Sequence, residues 1–186
     1  FDGNVVLNVA ADKLDSTLTV TGTGSTTDSI TGSISGAGTD TPKIKDIYTV
    51  NLTTTGFAGT ATVDFSDSSG FKKISSTIGT DDTLVLDKLD SGASLKVVGA
   101  ASGAVFNPKL SDDAGSDDKL TIELKARTAN VATPINDNFS INVSDVETIT
   151  LKSSTTGGET LSLANISMDA ASATTALKIT GSKALT

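Results

Sequence analysis

Residues 45–52 read Lys45-Asp46-Ile47-Tyr48-Thr49-Val50-Asn51-Leu52, and residues 144–151 read Ser144-Asp145-Val146-Glu147-Thr148-Ile149-Thr150-Leu151. Both follow one pattern: Asp, β-branched, any, Thr, β-branched, any, Leu. In the first copy Ile47, Thr49 and Asn51 fall on one face of an extended chain, and Tyr48, Val50 and Leu52 on the other. A period of two predicts a strand. Two further units recur. Gly79-Thr80-Asp81-Asp82-Thr83-Leu84-Val85-Leu86 matches Gly115-Ser116-Asp117-Asp118-Lys119-Leu120-Thr121-Ile122, and Leu95-Lys96-Val97-Val98-Gly99 matches Leu177-Lys178-Ile179-Thr180-Gly181. Diverged repetition of this kind predicts stacked coils, each burying its apolar face on its neighbour.

The same alternation runs outward from these units. It is found at 5–9, 18–21, 60–65, 83–86, 94–98, 120–124, 139–143 and 161–163, with Gly, Asp and Ser clusters between. Helical periodicity is weak throughout. The expected fold is all-β, either a repetitive β-solenoid or tandem β-sandwiches, with short helical turns at most, near 163–175. The sandwich alternative draws on spacing: the two Asp-β-branched-x-Thr segments begin at 46 and 145, about one sandwich domain apart. The organisation expected is a β-rich N-terminal repeat region at 1–98, a small-residue, loop-like connection at 99–114, and a β-rich C-terminal repeat region at 115–186. The chain starts at Phe1 and stops inside an alternating run, as a fragment of something longer would.

Composition narrows the chemistry. The 186 residues include 53 Ser and Thr, no Cys, no His and no Trp, and the net charge is −8. Without Cys there is no disulfide scaffold, thiolate metal site or thiol nucleophile. Without His the commonest general base and transition-metal ligand are missing. The acidic balance argues against a binder of nucleic acid, which needs a basic face. No apolar run is long enough to insert into a bilayer as a helix. Few aromatics are present for sugar stacking, and no Gly-rich loop leads from a strand into a helix, so an enzyme is not expected.

The acidic residues are 19 Asp against 3 Glu. Asp prefers turns and caps, where it accepts backbone N–H groups. The Gly-Thr/Ser-Asp-Asp-x-Leu units place paired carboxylates in such turns. Hard oxygen ligands in flexible turns suit Ca²⁺, and a divalent cation relieves the repulsion between adjacent carboxylates. The candidate ligands are Asp81, Asp82, Asp112, Asp113, Asp117 and Asp118, with Asp28 and Asp40 as weaker relatives. Four Asn-x-Ser/Thr sequons, at Asn51, Asn138, Asn142 and Asn165, are close to the number that chance gives in a chain this rich in Ser and Thr. Lys outnumbers Arg thirteen to one, which suits solvated strand faces and salt-sensitive bridges to Asp on neighbouring subunits.

The Asp-Val-Glu-Thr-Ile-Thr-Leu segment at 145–151, the Gly-x-Asp-Asp-x-Leu turns and the Thr/Ser/Ala/Gly/Asp-rich, Cys-free composition together resemble bacterial surface-layer proteins exported by type I secretion, which carry calcium-binding repeats. The turns at 79–84 and 115–120 keep one Gly, the Asp and the Leu of that repeat and lose its flanking glycines. The resemblance implies a structural subunit of a self-assembling coat on the outer bacterial cell surface, with calcium assisting assembly. Its partners would be other copies of itself in a lattice, and cell-surface polysaccharide through a region outside this chain. The competing expectation is a binding module, either an adhesin stalk or a phage or surface receptor-binding β-domain.

Overall fold

The computed structural model describes residues 5–112, 116–125, 138–154, 165–168 and 176–181, the backbone alone for 165–168. In chain order the strands are β1 (Val6–Val9), β2 (Thr19–Thr21), β3 (Ser29–Ile34), β4 (Gly38–Asp40), β5 (Lys43–Lys45), β6 (Thr49–Thr54), β7 (Thr60–Asp64) and β8 (Lys73–Ile78). They continue as β9 (Thr83–Leu89), β10 (Ser94–Ala100), β11 (Val105–Leu110), β12 (Lys119–Lys125), β13 (Ser140–Val143), β14 (Thr148–Ser154), β15 (Asn165–Met168) and β16 (Ala176–Gly181). No helix occurs among the described residues.

The chain alternates between two sheets. The larger runs β1-β3-β6-β8-β10-β12-β14-β16, the smaller β15-β13-β11-β9-β7-β4, and β2 with β5 forms a short third side. All pairings among these strands are parallel. Parallel neighbours need a crossover. Here that crossover is mostly a strand of the opposite sheet, so the chain winds as a β-solenoid. Tandem sandwiches, which are built from antiparallel sheets, are not what this chain forms.

Alternation sets which side chains turn inward. In β3, β6 and β8 every second residue is buried. Ile30, Val50, Ile74, Leu95, Ile122 and Leu151 stand in register on successive strands of the larger sheet. Each is at most 1% exposed. Burial of one such side chain stabilises by about 1.5–3 kcal/mol. Ala61, Leu84, Phe106 and Ile141 form the facing ladder. The two ladders belong to one continuous core.

The repeats of the sequence map onto this geometry. β6 and β14 start at the equivalent Thr49 and Thr148 on the same sheet. Asp46 and Asp145, three residues earlier, share a left-handed backbone with φ of 53° and 57°, a conformation Asp tolerates better than most residues. Leu95–Gly99 and Leu177–Gly181 lie on β10 and β16 of the larger sheet. The Asp-Asp units differ: residues 79–86 lead into β9 of the smaller sheet, residues 115–122 into β12 of the larger. The unit is therefore a corner device that serves either sheet.

Segment 99–114, expected as a loop-like connection, holds the end of β10 and all of β11. The larger sheet runs on across it, with β10 paired to β12. Small residues concealed the strands: Ala100 and Ala104 are fully buried, and a proline, Pro108, takes an inward position of β11 just before its register shifts against β9. The helical turn expected near 163–175 is a strand at 165–168; the rest of that stretch, and the alternating run at 161–163, lie outside the described residues.

Candidate functional site

Many of the acidic residues lie at corners between sheets, and among the described residues three carboxyl-bearing corners are buried. Asp28 immediately precedes β3 and is 0% exposed. Its carboxylate accepts hydrogen bonds from the backbone N–H of Val5 (2.9 Å), Thr23 (2.7 Å) and Ser25 (3.2 Å) and from the Thr23 hydroxyl (2.9 Å). The Val5 N–H leads in holding the carboxyl below the usual range, and the Thr23 and Ser25 donors outweigh the opposing effect of burial. Asp82 immediately precedes β9 and is also 0% exposed. It accepts the N–H groups of Gly56, Phe57 and Ala58 at 2.8, 2.8 and 2.9 Å. Both residues staple one coil to the preceding one. Gly79 makes room for this: a Cβ there would lie 2.3 Å from the Gly56 nitrogen and 2.6 Å from an Asp82 carboxylate oxygen.

The third corner is built differently. Asp118 immediately precedes β12 and Glu147 immediately precedes β14. Lys119 pairs with Thr148, which sets the two acidic residues side by side on successive coils. Asp118 is 8% and Glu147 6% exposed. The Glu147 carboxylate accepts the Asp118 backbone N–H at 2.8 Å. The Asp118 Oδ2 atom is buried with no hydrogen-bond partner. A buried carboxyl oxygen left unpartnered costs free energy that a cation recovers.

The remaining sequence candidates are spread out. Asp81 is exposed, in a left-handed turn with φ of 56°, and its carboxylate lies over Gly103 of the next turn. Asp112 and Asp117 are exposed, and Asp113 lies outside the described residues. Asp40 is half-buried; burial, then the charges of Asp12 and Asp15, push its carboxyl up. Asp12 and Asp15 are themselves held down by hydrogen bonds from Ser35 and Thr17. Among the described residues, no three carboxylates converge so as to hold a metal ion. Glu147 was missed by sequence reasoning. Its signal was available, since the alignment of 144–151 with 45–52 sets it opposite Tyr48, at a corner position next to a buried strand.

The smaller sheet carries a shallow cleft of about 330 Å³, lined by Asp87, Lys88, Lys109, Leu110, Ser144 and Asp145. Its mixed charges and single apolar residue mark no specific ligand. No protein-family model, curated protein or solved structure matches the chain.

Proposed function

We propose that this chain is a structural part of a self-assembling extracellular coat on a bacterial cell surface, with calcium assisting its assembly. The observation that carries the reading is the uninterrupted eight-stranded parallel sheet. Its outward residues form straight rows such as Thr31, Asn51, Ser75, Lys96, Glu123 and Lys152. A repetitive parallel sheet whose outer face presents hydroxyl, amide and ammonium groups in rows suits repeated lateral contact. The Cys-free composition suits life outside the cell, away from cytosolic reductants.

The calcium part of the proposal rests on the third corner. Asp82 fits capping better than metal binding, because its two oxygens already accept three N–H groups. Asp118 fits a cation, because one of its buried oxygens has no donor and the Glu147 carboxylate lies against its backbone. Asp118 and Glu147 would hold the ion, and carbonyl oxygens or water would complete the shell that Ca²⁺ requires.

Light scattering during a titration from EDTA into millimolar Ca²⁺, with electron micrographs of the endpoint, tests this. Ordered sheets or tubes that form with calcium are expected. A chain that stays monomeric and indifferent to calcium would refute the proposal and favour a stalk or receptor-binding module.

A further inference from the structure

The larger sheet turns six lysines outward: Lys73, Lys96, Lys119, Lys125, Lys152 and Lys178. The only acidic residue among its strands is Glu123. Glu123 is bonded to Lys96 and to the Ser154 hydroxyl at 2.5 Å. Burial pushes its carboxyl up, but those hydrogen bonds and the charges of Lys96 and Lys73 hold it below the usual range. It therefore stays ionised and offsets one lysine. The whole chain has 22 acidic and 14 basic residues. Among the described residues, 16 acidic against 6 basic lie outside this face. A basic plane sits on a strongly acidic molecule.

The acid opposite it has a definite place. Among the described residues that lead back into the larger sheet, at 65–72, 90–93 and 116–118, Asp67, Asp90 and Asp117 are all exposed. The 90–93 turn lies against its neighbours on both sides: it lines a cleft with Phe71 and Lys72, and the Gly92 N–H and Ser91 hydroxyl bond to the Lys119 backbone. The lysines stand on the sheet face and the aspartates on the turns beside it, and none of Asp67, Asp90 and Asp117 forms an ion pair with these lysines among the described residues. A second copy can supply such pairs.

We infer that the lysine face of the larger sheet is a docking surface for the acidic turn edge of another copy of this chain. The contact is heterologous, face to edge, so it propagates from copy to copy, into an open array where its rotation does not close a ring. It deepens the coat reading and rests on that reading for its purpose. Its energy comes from pairs that salt screens over about 8–10 Å. Association should therefore be strong at low ionic strength and weak at high.

The test is done in EDTA, so that calcium plays no part. Equal amounts of ¹⁴N and ¹⁵N chain are treated with a carbodiimide that joins amines to carboxylates at zero length, and linked peptides are read by mass spectrometry. Links between copies are expected from Lys73, Lys96, Lys152 or Lys178 to Asp67, Asp90 or Asp117. Sedimentation should show association at about 20 mM salt that is lost near 500 mM. Changing the four lysines to Glu should weaken association at least about tenfold, and the Lys→Gln set should do the same without repulsion. Mixing the Lys→Glu chain with an Asp67→Lys, Asp90→Lys, Asp117→Lys chain should restore it, an outcome that misfolding cannot produce. A wild-type monomer at low salt, links confined to other residues, or lysine-dependent binding to an acidic polysaccharide without self-association would each overturn the inference. Ordered calcium sheets that survive the Lys→Glu changes would overturn this contact and leave the coat reading standing. Charge-swap rescue with no calcium-driven order would do the reverse.

Discussion

The Glu147 carboxylate accepts the backbone N–H of Asp118 one coil away, while the Oδ2 atom of Asp118 is buried without a donor. Of the buried corner carboxylates, Asp118 is the one with an orphaned oxygen. Replacing Asp118 by Asn removes the unpartnered charge. In EDTA, Asp118→Asn should be more stable than wild type by about 1–3 kcal/mol, a rise of several degrees in Tm. In calcium the order should reverse, because only the wild type gains from the ion. Scanning calorimetry in both buffers measures this. Equal calcium shifts for the two chains would remove the ion from this corner.

Asp82 makes the opposite case. Asp82→Ala leaves the N–H groups of Gly56, Phe57 and Ala58 without their acceptor. Hydrogen bonds to a charged group contribute about 1.5–3 kcal/mol each, and water replaces part of that at a corner. A net loss of at least about 3 kcal/mol is expected in urea unfolding, with an unchanged slope. Calcium should not restore it, since the damage is a lost cap. A loss below about 1 kcal/mol would mean that the staple contributes little to stability.

Asp28 predicts the acid limb of stability. Its folded pKa lies below the unfolded value, chiefly through the Val5 N–H. Its contribution is therefore complete above the unfolded pKa and is lost as pH falls through the folded one. The gap in denaturation midpoint between wild type and Asp28→Asn should stay constant down to about pH 4 and then shrink. A gap that widens on acidification would contradict the capping role.

Much of this was legible before the structure. Alternation identified the strands whose inward residues are large, because Val50, Leu84 and Ile122 repeat with period two on strands that need them buried. The equivalence of Asp46 with Asp145 marked two like corners. Alternation failed where the core accepts small or polar groups. β3 passes unnoticed because Gly32 occupies an inward position, where a Cβ would lie 2.3 Å from Leu14 Cδ1. β8 passes unnoticed because its inward residues include Ser76. The distinction between a capping Asp and a cation-ready Asp was not legible either. It depends on which N–H groups the neighbouring coil brings within reach, and those come from 23 to 29 residues away.

Ser76 itself gives the last prediction. It is 1% exposed, faces the core between Leu52 and Val97, and its hydroxyl has no partner. Thr54 is a matched contrast. It is also inward-facing and 3% exposed, but its hydroxyl accepts the Gly79 N–H at 2.8 Å. Removing an unsatisfied buried hydroxyl relieves a desolvation penalty, whereas removing a satisfied one orphans its donor. Ser76→Ala should therefore stabilise by about 1 kcal/mol, and Thr54→Val, close to isosteric, should destabilise by at least as much. Ser76→Val adds apolar contact to the ladder and a better strand former, and should exceed Ala if the space beside Leu52 admits two methyl groups. Urea midpoints of the variants decide the matter. Destabilisation by Ser76→Ala would mean that the hydroxyl is bonded in solution, and the inward ladder would then contain a polar link at β8 rather than a defect.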